Sequence, residues 1–273
     1  MDFLSILGFI IGIGSLLLAA LLAGGDPAML LQEHAAIIVF GGTCGAMMLE
    51  SSPRIMLHAL KRLRWLIAPP AANLTQSVRD FVEWAQIVNR RGPLAMDAYI
   101  EDQTDPFCKV ALELMVSGKR PEELHQILGA EIRNRQQDDV QAAGIFEAAG
   151  GYSPTMGIVG AVLGLMVAVM GLGQEDFDLA ALGTGIATAF VATIYGLALA
   201  NMILLPIAGK IKNCAARQTR YRELFLQGIL LLASNMPYRD VLRALRGFMD
   251  ADAVVSLAGM EGAAGSAPAS ERG

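Results

Sequence analysis

Thr155, Thr184, Thr188, Thr193 and Asn201 are the main polar side chains in two long apolar runs, residues 153–173 and 179–209. A threonine hydroxyl in such a run has two uses. It can bond a carbonyl one turn earlier in its own helix, or it can line a hydrated path for an ion. Thr155, Thr188 and Thr193 are the candidates for the second use. A chain that moves ions alone ordinarily keeps a carboxylate or another ionisable group within its spans. Neither run contains Asp, Glu, Lys, Arg or His. Either the chain moves no ion, or a partner supplies the titrating group.

The elements that would hold these hydroxyls are membrane helices. Each run exceeds the ~20 residues that cross a bilayer, and the acidic stretch 174–178 joins them. Residues 3–23 form a third run and residues 35–49 a shorter fourth, also free of charge. The expected fold is therefore an all-α membrane protein with four transmembrane helices and a helical cytoplasmic domain between spans 2 and 3. Gly157, Gly160 and Gly164 share one face of span 3, and small residues let helix backbones approach closely in lipid. That approach can serve packing on span 4 in the same chain, packing between subunits, or both. Pro154 and Pro206 stand near the inner ends of the two runs. Proline there either marks the helix end or frees carbonyls and permits a hinge.

Charge placement orients the chain. All 21 Lys and Arg fall in two blocks, residues 54–135 and 210–272. The positive-inside rule then puts the central segment, the tail and both termini in the cytoplasm. A net charge of −5 gives no reason to expect nucleic-acid binding. Cys44, Cys108 and Cys214 form no disulfide framework, and with His34, His58 and His125 they show no metal-ligand spacing. Gly183-Thr184-Gly185 lacks the third glycine and the preceding strand of a dinucleotide loop.

Four regions follow: 1–50 with spans 1 and 2, 51–150 cytoplasmic and helical, 151–212 with spans 3 and 4, and 213–273 a helical tail with a disordered end at 259–273. Lys61, Arg62 and Arg64 beside Trp65 suit the inner membrane interface. Asn73 or Thr75 starts a helix that Gly92-Pro93 breaks, Asp105-Pro106 starts another that Gly118 ends, and Pro121 opens a third. Arg90, Arg91, Asp97 and Glu101 flank the Gly92-Pro93 break. They form either a solvated charged face or a docking surface.

The strings VFGGTCGA at 39–46, FEAAGGYSPTMGIVGAVLGL at 146–165 and GTGIATAFVATIYGLALANMILLPIA at 183–208 resemble the MotA/PomA family of flagellar motor stator proteins. The likeness covers roughly residues 1–235 and is strongest to the MotC-like branch, with its short cytoplasmic region. The resemblance implies five such chains around two copies of a MotB-like partner. That partner supplies one span with an ion-carrying Asp and a peptidoglycan-binding domain. Ion flow at the Asp would turn the homo-pentamer against the rotor protein FliG, in the bacterial inner membrane. Pro154 and Pro206 match the two family prolines, and Thr193 matches the span 4 threonine near the ion path. Ala161 stands where sodium-driven members carry Thr. A methyl cannot ligate sodium, so protons are the expected coupling ion, with no cofactor and no covalent chemistry. Arg90 and Asp97 fall in the rotor-contact motif, with Arg91 and Glu101 as neighbours. Asn89 and Pro93 depart from that motif and leave open which Arg makes the contact. An ExbB/TolQ-like energiser is the alternative from the same mechanistic class, and a non-conducting membrane scaffold the one from another.

Overall fold

The computed structural model describes residues 3–22, 24, 27–171 and 179–249. The acidic connection 174–178 and the expected disordered end 259–273 lie outside them. Among the described residues the chain is helical throughout, with no strand. In order come α1 (Phe3–Leu22), α2 (Glu33–Ala36), α3 (Gly42–Glu50), α4 (Pro53–Arg62), α5 (Arg64–Ile67), α6 (Leu74–Arg91), α7 (Pro106–Val116), α8 (Pro121–Gly171), α9 (Leu179–Ala198), α10 (Leu205–Ala233) and α11 (Tyr238–Leu245). A π-helical stretch, Ile37–Gly41, links α2 to α3, and a second, Leu199–Leu204, links α9 to α10. Two helical stretches, Pro121–Met170 and Leu182–Ala233, are long and apolar enough to cross a membrane. The second sequence-predicted span is an α–π–α composite rather than one regular helix.

The caps follow the side-chain chemistry. Asn73, not Thr75, caps α6 by accepting from Gln76 N–H. Asp105 caps α7 through Phe107 N–H at 2.9 Å, and Ser52 accepts from Ile55 at the start of α4. Such caps satisfy the free donors of a first turn. Gly92 and Gly118 take φ of +79° and +80° where α6 and α7 stop, a conformation that strains any residue with a Cβ.

Two compact units form. Among the described residues, one draws on residues 3–69 and 137–215, the other on 70–136 and 216–249. The boundaries expected at 50, 150 and 212 thus fall inside units. Residues 51–69 and 137–150 fold with the apolar helices: His58 and Arg62 bond Asp139 of α8, and α8 runs unbroken past 150. Likewise α10 runs on through 212, which removes the expected break before the tail.

In the first unit many buried positions are small and many large apolar side chains face outward. Ala142, Ala143, Ala149, Ala192, Ala208 and Gly157 are buried, whereas Val167, Met170 and Phe190 are exposed by 69, 68 and 66%. A water-soluble unit buries its large apolar side chains; this one buries Trp65, Phe146 and Ile211 but turns many others outward, as a helix bundle in lipid does. The second unit has the ordinary arrangement. Phe81 meets Trp84 and Phe225 edge-on, with centroids 5.0 and 4.9 Å apart, in a core with Phe107, Leu112 and Leu224.

Candidate functional site

The apolar hairpin is held by glycines on both partners. A Cβ at Gly157 would lie 2.9 Å from the carbonyl oxygen of Ala192 and 3.3 Å from the Cα of Gly196. At Gly164 it would lie 3.0 Å from Ala189 N and from the Gly185 carbonyl oxygen. Gly160 faces the Ala192 methyl and Ile38. All three predicted glycines therefore pack against α9 within the same chain. Their counterparts Gly185 and Gly196 carry the same restriction: a Cβ at Gly196 would approach the Ser153 carbonyl oxygen to 2.6 Å. Backbones this close leave no room for a side chain between them, so the pair is locked by shape. Gly183, two residues from Gly185, meets nothing within 4 Å.

Every threonine of the hairpin bonds back to its own helix. Thr155 donates to Tyr152 O at 2.6 Å, Thr184 to Ala180 O at 2.9 Å, Thr188 to Thr184 O at 2.8 Å and Thr193 to Ala189 O at 3.3 Å. Asn201 does the same with Leu197 O. Thr188 Oγ1 also lies 3.3 Å from a second acceptor, Gln32 Oε1. The helical period separates the expected path residues. Thr155 points about 160° away from the Gly157 face, and Thr188 and Thr193 are about 140° apart around α9. Thr155 is exposed, Ala161 and Thr193 are half-buried, and Thr188 is buried. One chain therefore does not gather them into a single lined path.

The prolines occupy different settings. Pro154 lies inside the unbroken α8 with its Cα near Gly196. Pro206 follows the π turn, in which Leu205 N–H reaches back to Ala200 O. A proline ring crowds the carbonyl four residues earlier, and the wider π turn gives it room. Gly150 packs on Leu205, four residues before Pro154 and one before Pro206.

Two arrangements had no sequence signal. Ser153 Oγ donates to Gly196 O at 2.9 Å in a buried setting. Asp139, 1% exposed, accepts from Arg62 Nε at 2.6 Å and pairs with His58 Nε2 at 3.2 Å. Arg62 also stacks on Trp65, 4.2 Å from the ring centroid. Arg62, expected at the membrane interface, is thus turned inward to clamp α4 onto α8. Among the described residues no group of His, Cys, Asp and Glu could hold a metal ion.

In the other unit, Arg90 and Arg91 end α6 and Asp97 follows in a 3-10 turn; all three are exposed. Glu101 is exposed and paired with Lys109 at 2.9 Å. Asn89 Nδ2 donates to Met236 O. Cys108 is fully buried and bonded to Tyr221 Oη at 3.6 Å; burial pushes its thiol up to about 12.

Residues 100–224 match the MotA/TolQ/ExbB proton channel family. Over 253 residues the chain is 32% identical to motility protein A of Bacillus subtilis (strain 168), covering 92% of each sequence. The chain belongs to the MotA/PomA family. Its fold matches the structure of C. jejuni MotAB with a TM-score of 0.85 at 27% identity, covering 92% of this chain and 97% of that one. The flagellar MotAB stator complex from Bacillus subtilis gives 0.81 at 28% identity, covering 93 and 98%. As a MotA-type protein the chain is a flagellar stator subunit, not an ExbB/TolQ-like energiser.

Proposed function

We propose that this stator subunit works as a four-span inner-membrane protein with cytoplasmic termini, in complexes with a single-span, peptidoglycan-binding MotB-like partner. Five copies surround two partner chains, and protons are the coupling ion. The observation that carries this reading is the hairpin itself. It is sealed by glycines, large and apolar outside, and without Asp, Glu, Lys, Arg or His in its described residues. A wall of that kind can shape a proton path but cannot hold the proton, so the titrating carboxylate belongs to the partner. Thr155, Ala161, Thr188 and Thr193 lie on different faces, which suits a path completed by neighbouring chains. Pro154 and Pro206 give each helix one position where it can bend. In the cytoplasmic unit Arg90, Arg91 and Asp97 project into solvent and form the contact with FliG. Glu101 is neutralised by Lys109 and plays the smaller part.

Co-expression with the partner tests the proposal. A proton leak should appear, vanish when the partner's membrane Asp is changed to Asn, and persist without sodium. Dependence on sodium at fixed pH would overturn the proton assignment made from Ala161. No leak with any partner would overturn the ion path.

A further inference from the structure

We propose that the cleft between α4 and α8 binds a phosphate group. The cleft has a volume of about 500 Å³ and lies within one unit, with Arg54, His58, Lys61, Asp138 and Gln141 among its walls. Arg54, His58 and Lys61 are spaced four and three residues apart, which places them on one face of α4. His58 is engaged through Nε2 with the buried Asp139. Asp139 in turn is neutralised by Arg62, so its charge does not cancel the cleft's. Arg54 and Lys61 are exposed and make no ion pair among the described residues. With Asp138 included, the walls carry a net single positive charge, and two positive charges when His58 is protonated. Arg supplies a planar fork and Lys a point charge, the usual pair of donors for phosphate oxygens. Gln141 adds an amide donor.

A phospholipid or a soluble anion could supply that phosphate. Position favours the lipid. The start of α4 comes three residues after α3 ends at Glu50, where an apolar helix gives way to charged sequence. Leu57 lines the cleft and is 60% exposed, with Leu60 53% exposed beside it. A diester of net negative charge could place its phosphate on Arg54 and Lys61 and its acyl chains on these leucines. The lipid source rests on the membrane placement proposed above; the phosphate site does not.

The test uses the full-length chain purified with its partner in detergent. Short-chain phosphatidylglycerol, short-chain phosphatidylcholine and inorganic phosphate are titrated separately, with thermal unfolding as the readout. Phosphatidylglycerol should raise the midpoint saturably and the zwitterionic lipid should not. The charge-neutral pair R54Q/K61Q should weaken the apparent affinity at least tenfold. R133Q/R217Q, which removes two cations elsewhere, should bind as the parent does. R54K/K61R should retain binding, and R54Q alone serves if the double variant fails to assemble. Saturable stabilisation by inorganic phosphate, lost in R54Q/K61Q, supports the site with a soluble anion as ligand. Equal binding of both lipids, or undiminished phosphatidylglycerol binding by R54Q/K61Q, overturns it. None of these readouts involves motility, so the stator reading stands or falls separately.

Discussion

Ser153 and Gly196 are joined twice. The serine hydroxyl donates to the glycine carbonyl at 2.9 Å, and the serine carbonyl oxygen lies 2.6 Å from where a Cβ on Gly196 would stand. One contact draws α8 and α9 together and the other forbids anything larger than hydrogen between them. The hairpin is therefore specified by what is missing from its side chains as much as by what is present.

Gly196→Val should separate the two helices. Overpacking a close contact costs about 1–3 kcal/mol, and backbone atoms on the facing helix cannot swing aside. The detergent-solubilised protein should melt several degrees lower. Gly183→Val, at a site with open space around it, should leave the melting temperature unchanged. Equal effects from the two would contradict the packing described.

Asp139→Asn should release α4. It leaves the Arg62 guanidinium and His58 facing a neutral amide. Removing one member of a buried ion pair costs about 3–5 kcal/mol, whereas replacing the pair with apolar residues is far gentler. The double variant Arg62→Met with Asp139→Leu should thus be more stable than Asp139→Asn alone. Limited proteolysis within residues 51–69 would report the release.

Arg90→Glu with Arg91→Glu should abolish or sharply reduce swimming while the protein accumulates normally. Both side chains are exposed and neither supports the core. Glu101→Gln should have a small effect, since an exposed pair such as Glu101–Lys109 contributes at most ~1 kcal/mol. Motility unchanged by the double reversal would remove these arginines from the rotor contact.

The second unit should lose stability at alkaline pH. Burial raises Cys108 to about 12, and desolvation likewise raises Tyr221 well above the usual phenol value. Above the unfolded thiol's ordinary value near 8.5, the folded state binds more protons than the unfolded one. Stability must then fall as pH rises from there towards 12. Cys108→Ala should flatten that decline in a melting-temperature series from pH 8 to 11. Maleimide should label Cys108 only after unfolding, because a buried neutral thiol is a poor nucleophile.

Helix ends were readable because they depend on local chemistry. Asn73, Asp105, Gly92, Gly118 and Pro121 each act on backbone groups within a few residues. The Gly157–Gly164 face was readable from its spacing. Gly185 and Gly196 were not, since a glycine's purpose there is set by the helix opposite. Asp139 was hidden for a related reason. It stands in a polar stretch, next to Asp138, and only the approach of Arg62 from 77 residues away shows that it is buried. The helix opening at Pro121 could be followed from sequence towards span 3, but a region boundary at 150 was expected, because composition changes there while backbone geometry does not.

The widened turn at Leu199–Leu204 bears on how relatives should be aligned. A π turn takes up about one residue more than an α turn, and one residue corresponds to about 100° of rotation around the axis. A relative one residue shorter here could keep both flanking faces aimed as before by closing the bulge. A one-residue gap placed within 199–204 would then be a structural event, not an alignment error. The same gap placed between Gly185 and Gly196 would swing one of them off its partner.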